Sequence, residues 1–362
     1  GYDSAGIALL AANGGKLNHL RTVGKVKKLV DSAAKSKIRG KLGIAHTRWA
    51  THGKPTIKNA HPHCSSSEVA IVHNGIIENY EYLQENLIKD GYKIKTETDS
   101  ETIAHLIHKE RKEGKISLLN AVTRAVKRLN GAYGICVIDK SQPDEIIVAR
   151  SGSPLVIGIG IGENFIASDP LALGHVTDQF IYLEEGDIAR ITLNDVEIWH
   201  GSQKVVRHVT TLKATMNEAG KDGYKHFMLK EIYEQASTIK DTLDGRISKN
   251  RVLEEAFGVN ANKIFDKVKS VQIVACGTSY HAGLIAKYWL ETIAKITCQV
   301  DIASDYRYRD IIVQPGTLLV TISQSGETAD TLAALRYAKK QNYVASLAIC
   351  NVATSSLVRE SD

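Results

Sequence analysis

Val271-Gln-Ile-Val-Ala-Cys-Gly-Thr-Ser279 and Leu318-Leu-Val-Thr-Ile-Ser-Gln-Ser-Gly-Glu-Thr328 decide how the second half of the chain folds. Each opens on an apolar strand (Val271–Ala275, Leu318–Ile322) and passes through a polar loop of glycine and hydroxyl residues. Each then runs into a helical pattern, near His281–Ala294 and near Thr328–Lys340. Ser346–Cys350 begins the cycle a third time. Strands covered by helices on both faces have no solvent side and lose period-two alternation, so this grammar predicts a doubly wound parallel sheet.

In such a sheet the strand C-termini and helix N-termini converge on a crevice, where backbone N–H groups and the positive helix end attract a phosphate. Ser279, Ser323, Ser325 and Thr328 add hydroxyl donors without a cation, with Thr278 and Gln324 in the same loops. A neutral cradle suits a sugar monophosphate; a triphosphate calls for a lysine and Mg²⁺, and no GxxxxGK[ST] is present. Serine and glycine also mark ordinary turns and N-caps. Two such loops at equivalent points of successive βα units favour binding. Gly158-Ile-Gly-Ile-Gly162 is a poor dinucleotide fingerprint, because a strand follows it, and reads as a hairpin turn.

Working back towards the start, residues 1 to about 212 are rich in short strands: Gly6–Leu10, Gly43–Trp49, Val69–His73, Gly131–Asp139, Glu145–Arg150, Leu155–Ile159 and Asn164–Ser168. Helical patterns at Glu101–Glu113 and Leu118–Leu129 interrupt them, which predicts sheets covered by helices. Ala214–Gly223 is small, polar and glycine-containing, a linker signal. The expected domains are therefore 1–213, a linker at 214–245, and 246–362.

At 362 residues, with 43% hydrophobic and 24% charged residues, the chain is long enough for two buried cores and unlike disordered or collagenous sequences. No apolar run reaches the roughly 18 residues of a membrane span, so no membrane is expected. Gly1 stands where Met would, and the apolar run Gly6 to Ala12 has no basic segment before it. That reads as a chain entered partway through, not as a signal peptide. The net charge of +6 is concentrated in residues 1–50, which hold ten Lys/Arg against two Asp/Glu. Many of these bases lie in or beside a helical pattern near residues 24–36. No aromatic interleaving or zinc-finger spacing accompanies them, so a solvated helix face is expected and nucleic acid is not. Five scattered cysteines fit reduced thiols in the cytoplasm better than a disulfide framework.

Three polar clusters stand out in the first half: His46-Thr-Arg-Trp-Ala-Thr-His-Gly53, His73-Asn-Gly-Ile-Ile-Glu-Asn79 and Glu97-Thr-Asp-Ser-Glu101. A free amino acid presents an α-carboxylate, which the planar fork of Arg48 suits, and an α-ammonium, which needs an anion such as Asp99. Hydrolysis of its side-chain amide builds charge on the carbonyl oxygen, which the Asn74 side-chain NH₂ and the Gly75 N–H suit. Blander readings exist. Asp99 fits a helix N-cap, Asn74-Gly75 is a hairpin-turn signal, and Arg48 with Trp49 fits a surface stacking pair. His61-Pro-His63-Cys64 lacks a second ligand pair at metal spacing, so no metal is expected.

Together these clusters resemble the class II glutamine amidotransferase domain. That resemblance implies an N-terminal-nucleophile hydrolase fold, an αββα sandwich. It implies Arg48 and Asp99 as glutamine anchors, Asn74 and Gly75 as the oxyanion hole, and Trp49, Thr51, His52 and His61 as site-lining residues. Gly1-Tyr-Asp-Ser-Ala-Gly6 matches a loop of that family. The family's nucleophile is a cysteine whose own α-amine is the base. It is expected some two dozen residues before Gly1, so the 362 residues as written should bind glutamine weakly and hydrolyse none.

The second half resembles a sugar isomerase (SIS) domain, in which the matching residues Thr278, Ser279, Ser323, Gln324, Ser325 and Thr328 bind sugar phosphate. The pairing, with Lys230-Glu-Ile-Tyr-Glu-Gln235 between, resembles the amidotransferase family that moves glutamine's amide nitrogen onto fructose 6-phosphate, giving glucosamine 6-phosphate and glutamate. It implies a closed path for ammonia, no cofactor, a homodimer through SIS domains, and a second SIS domain with the isomerase residues beyond Asp362. The sequence has neither the paired acids and basic-threonine loop of a phosphoribosyl-pyrophosphate amidotransferase nor the Ser-Gly-Gly loop of asparagine synthetase. The alternative from another class is a non-catalytic, sugar-phosphate-binding regulatory protein.

Overall fold

The computed structural model describes residues 3–11, 16–36, 38–48, 53–211, 222–248, 251–258, 260–353 and 355–362. They fall into two compact units, 1–214 and 215–362.

The first unit opens with β1 (Ser4–Leu10), β2 (Leu17–Val23), α1 (Val26–Ser36) and β3 (Leu42–Arg48). These strands form an antiparallel sheet of order β2-β1-β3, in which Ser4 lies opposite Arg48. Then follow β4 (His63–Ser65), β5 (Val69–Ile77), α2 (Tyr80–Lys89), α3 (Asp99–Gly114) and α4 (Leu118–Val126). The remainder is strand apart from a 3₁₀ turn at Pro170–Ala172: β6 (Gly131–Asp139), β7 (Gln142–Ser151), β8 (Val156–Ile159), β9 (Asn164–Ala167), β10 (Gln179–Tyr182), β11 (Asp187–Ile191), β12 (Val196–His200), β13 (Gln203–Val205) and β14 (Val209–Thr211). A seven-stranded sheet runs β13-β12-β11-β7-β6-β5-β4, and a four-stranded one runs β14-β10-β8-β9.

Side-chain alternation along the strands separates two cores. Val69 and Ile71 of β5 face a core with Ile103, Leu106 and Ile107 of α3, while Ala70 and Val72 join Ala8, Leu10, Ile44, Ile157 and Ile181 between the sheets. Helix α4 buries Leu118, Ala121, Val122 and Ala125, a single stripe at helical spacing, and Ser117 caps it by accepting the Asn120 N–H at 3.3 Å. Helix α1 lies against β1 and β2 outside the inter-sheet core. Helix, sheet, sheet, helix is the αββα sandwich expected from the sequence. The Gly158–Gly162 stretch is a hairpin: β8 and β9 pair from Val156↔Ala167 to Ile159↔Asn164.

The second unit holds α5 (Phe227–Leu243), within the stretch read as a linker, and α6 (Ala261–Phe265). Alternating strands and helices follow: β15 (Ser270–Ala275), α7 (Gly277–Trp289), β16 (Thr297–Ile302), α8 (Ala303–Tyr306), β17 (Thr317–Ser323), α9 (Ala329–Ala338), β18 (Ser346–Cys350) and α10 (Ser356–Glu360). All strand pairs are parallel, in the order β16-β15-β17-β18. From β15 the chain moves to one side, then returns to the other, so the order reverses between β15 and β17. That reversal opens a crevice at their C-terminal ends.

Candidate functional site

In the first unit, β5 runs straight through Asn74 and Gly75, which lie opposite Gly134 and Tyr133 of β6. The turn reading of this dipeptide is thereby corrected. Gly75 has φ +138, and a Cβ there would drive into the Ala132 carbonyl, so only glycine fits. Asn74 is exposed. Just beyond, the Ile77 N–H donates to Asp99 Oδ2 at 2.8 Å. Asp99 is therefore not the N-cap: Thr98 holds that position, and Asp99 opens α3 with its carboxylate buried against the end of β5.

Arg48, at the end of β3, is 4% exposed, which corrects the surface-stacking alternative. Its guanidinium donates to the carbonyls of Gly53 (3.2 Å) and Lys54 (3.4 Å). Burial works against its charge, while the carboxylates of Asp3, Asp99 and Glu97 favour it. The loop beyond is closed by Asn59, whose Nδ2 donates to Glu97 Oε2 and to Lys54 O, both at 3.0 Å, while its Oδ1 accepts the Glu97 N–H at 3.0 Å. Gly53, at φ +76, passes so near Asn59 and Glu97 that a Cβ would collide with both. Asn59 lies outside the three polar clusters that stand out in the sequence. Trp49, Thr51 and His52 lie outside the described residues.

His61, joined to Pro62 by a cis peptide, belongs to a cluster of imidazoles that sequence spacing did not reveal. Its ring lies 4.2 Å from His46 and 4.6 Å from His63, centroid to centroid. His63 Nε2 bonds Thr98 Oγ1 at 3.2 Å, and His73 Nδ1 bonds Ser100 Oγ at 2.9 Å, so two of the rings meet the start of α3. Burial pushes His46 down to about 4 and His63 to about 3, and lowers His61 and His73. The cluster is thus neutral at pH 7. Ser4 Oγ, His46 Nδ1, both nitrogens of His61 and His73 Nε2 are buried without a hydrogen-bond partner among the described residues. No three His, Cys, Asp or Glu side chains among them are grouped to hold a metal ion.

In the second unit the two polar loops come side by side, because Ala275 of β15 is in register with Ile322 of β17. The first is shorter than its sequence suggests. Helix α7 starts at Gly277, not near His281, so Thr278 and Ser279 belong to its first turn, whose N–H groups have no intrahelical acceptor. The second is a true loop before α9, with Thr328 at the N-cap position but making no side-chain capping bond. Ser323 Oγ accepts the Gly326 N–H at 3.0 Å and lies 3.4 Å from Thr328 Oγ1; Ser325 Oγ accepts the Glu327 N–H at 3.2 Å. Gln324 and Thr278 are exposed, and Ser279, Ser325 and Thr328 half-buried. The six residues thus share the crevice end of the sheet, a placement suited to an anion.

Comparison with known proteins gives two domain matches: a glutamine amidotransferase domain over residues 46–174 and an SIS domain over 264–362. Proteins of Pseudomonas putida and Pseudomonas aeruginosa, both named glutamine–fructose-6-phosphate aminotransferase [isomerizing], are 58% and 59% identical to this chain over its whole length. The chain spans 59% of the length of each. Among solved structures, the C-terminal domain of glucosamine-fructose-6-phosphate aminotransferase from Francisella tularensis matches 40% of this chain and 40% of its own, at 58% identity and a TM-score of 0.39. With two matched domains in this order and such identity from end to end, the chain is similar along its whole length to the glutamine–fructose-6-phosphate aminotransferases (isomerizing).

Proposed function

We propose that the protein serves hexosamine synthesis by transferring the amide nitrogen of glutamine to fructose 6-phosphate, with glucosamine 6-phosphate and glutamate as products. Arg48 binds the glutamine α-carboxylate and Asp99 the α-ammonium, with Trp49, Thr51, His52 and His61 around them. The Asn74 side-chain NH₂ and the Gly75 N–H take the charge that develops on the amide oxygen. The observation that carries this reading is the bond from Ile77 to Asp99, which ties the ammonium anchor to the strand bearing Asn74 and Gly75. Opening the amide calls for a cysteine that carries a free α-amine. Burial pushes Cys64 and Cys298 up to about 11 and Cys136 to about 12, so these thiols are poor nucleophiles.

The sugar phosphate sits over the first turn of α7 and the 323–328 loop, held by Thr278, Ser279, Ser323, Gln324, Ser325 and Thr328. We place the protein in the cytoplasm; among the described residues no helix is long and apolar enough to cross a membrane. Exposed Ile285, Tyr288, Trp289 and Ile293 in the second unit support association as a homodimer through this domain. The test is the thermal shift of the chain with millimolar glutamine and, separately, with glucosamine 6-phosphate. Each ligand should raise the melting temperature; Asp99→Asn should remove only the glutamine response, and Ser325→Ala only the sugar-phosphate response. No response to either ligand overturns the proposal.

A further inference from the structure

A half-open cavity of about 610 Å³ lies on the first unit at the far end of α3 from Asp99, about 18 Å along the helix. Its wall is a fixed polar network. Arg111 Nε donates to Asp139 Oδ2 at 2.9 Å, its Nη2 donates to Ser141 Oγ at 2.6 Å, and its Nη1 donates to the Ile116 carbonyl. Asp139 in turn accepts from the Ser141 N–H at 2.6 Å, which shapes the β6–β7 turn. The Lys140 N–H donates to the Glu68 carbonyl at 2.8 Å, so this turn is pinned on both sides.

Around the wall stand Lys112, Lys115 and Lys140, all exposed and none in an ion pair among the described residues. Attraction to the helix C-terminus accounts for Lys112. It does not account for Lys140, which comes from a different element, or for Lys115, which follows the helix at φ +46. That left-handed position is where a helix ordinarily ends on glycine. Here the glycine is one residue early, at Gly114, and a lysine occupies the unfavourable conformation beside the cavity.

We propose that this cavity is a second anion site, specific for a small metabolite carrying two or more phosphate charges. Its volume exceeds a single phosphate and falls within the usual range for small-molecule pockets, about 300–1,000 Å³. The one planar fork, Arg111, is committed to Asp139, Ser141 and Ile116, so carboxylate is not the group it is built to grip. Three ammonium groups act as point charges and suit tetrahedral phosphate oxygens. The ring in the lining, His108, is buried and held through its two nitrogens by Tyr92 Oη at 2.8 Å and Glu68 Oε2 at 3.0 Å, so it offers no open face for a nucleotide base to stack on.

The test titrates the whole chain with inorganic pyrophosphate at constant ionic strength. Affinity should fall at least tenfold when Lys112, Lys115 and Lys140 are all changed to Gln, and at least threefold in Lys140→Gln alone, a single exposed change that guards against misfolding of the triple variant. It should persist in Ser325→Ala, which alters the sugar-phosphate loop, and in a control with Lys27→Gln and Lys35→Gln on exposed positions of α1. Glutamine and glucosamine 6-phosphate responses should be unchanged in the triple variant, which separates this site from the two proposed above. No pyrophosphate binding by the parent chain, equal affinity in the lysine variants, or an equal loss in the α1 control overturns the proposal.

Discussion

The imidazole rings of His46 and His61 lie 4.2 Å apart, centroid to centroid, in the buried part of the first unit, with His63 meeting His61 edge-on. The consequence is a pH dependence of stability with a defined sign. An unfolded imidazole takes a proton near 6.5, whereas burial delays this to about 4 in folded His46 and about 3 in folded His63. The unfolded state therefore binds more protons through this window, and stability is complete above pH 6.5 and lost as pH falls towards 4. The slope is about 1.4 kcal/mol per pH unit for each histidine. Glu101 adds to it lower down. Its carboxylate is held at about 2, against burial, by hydrogen bonds from His105 and from the Thr96 and Lys95 amides, so its contribution fades as pH drops below 4.5. Urea unfolding of the first unit at pH 7, 6 and 5 should show a falling midpoint, and His63→Gln should flatten the trend. An unchanged midpoint across this range would contradict the burial of neutral rings.

Asp99 carries two roles that separate by substitution. Asp99→Ala leaves the buried Ile77 N–H without its acceptor, at a cost of about 1–3 kcal/mol. Asp99→Asn keeps an oxygen for that N–H and removes only the charge, so the loss of stability should be about 1 kcal/mol or less. Both variants should weaken glutamine at least tenfold. Chemical denaturation and calorimetric titration of the same samples check the two effects, and a glutamine affinity retained in Asp99→Asn would dismiss the ammonium anchor.

What the sequence disclosed follows from which interactions are local. The apolar runs Val69–Val72 and Val271–Ala275 announced strands, and both are strands. The glycines of 158–162 announced a hairpin, because turn geometry depends on neighbouring residues alone. Gly277-Thr-Ser279 misled for the same reason: small polar residues look like a loop, yet the first helical turn accepts them readily where N–H groups need no helical partner. Asn74-Gly75 carries a local turn preference, which pairing with β6 overrides. The histidine cluster and Asn59 stayed hidden because their neighbours come from distant segments. His46, His61, His63 and His73 meet only when β3, β4 and β5 assemble. The reversal between β15 and β17 is a property of strand order, which no local pattern encodes.

Gly75→Ala tests the close approach in β5. The backbone there is at φ +138, and the added methyl would overlap the Ala132 carbonyl and lie 3.0 Å from Tyr133 Cα. Strain and overpacking together should destabilise the first unit by about 2–4 kcal/mol. The urea midpoint should fall accordingly. A midpoint equal to that of the parent would mean that β5 and β6 do not approach so closely at this point.

The 323–328 loop is held from behind, and this gives a residue remote from the proposed ligand an effect on its affinity. Gly326, at φ +66, leaves no space for a Cβ against Ser355 and Cys350, and its carbonyl accepts the Leu357 N–H at 3.0 Å. Glu327 Oε1 accepts the N–H of buried Ser356 at 2.7 Å, so two successive loop residues are tied to the start of α10. The same Gly326 donates its N–H to Ser323 Oγ, within the set of hydroxyls proposed to hold phosphate. Glu327→Ala breaks a hydrogen bond to a charged group, about 1.5–3 kcal/mol, and frees the loop to sample other shapes. Glucosamine 6-phosphate should then bind roughly tenfold more weakly, equivalent to about 1.4 kcal/mol. Glu327→Gln retains an acceptor oxygen for Ser356 and should recover most of that affinity. Calorimetry on the three proteins, with amide hydrogen exchange at Ser356 as an independent reading of the latch, decides the matter. Faster exchange with unchanged affinity in Glu327→Ala would show that the loop keeps its shape without this tie.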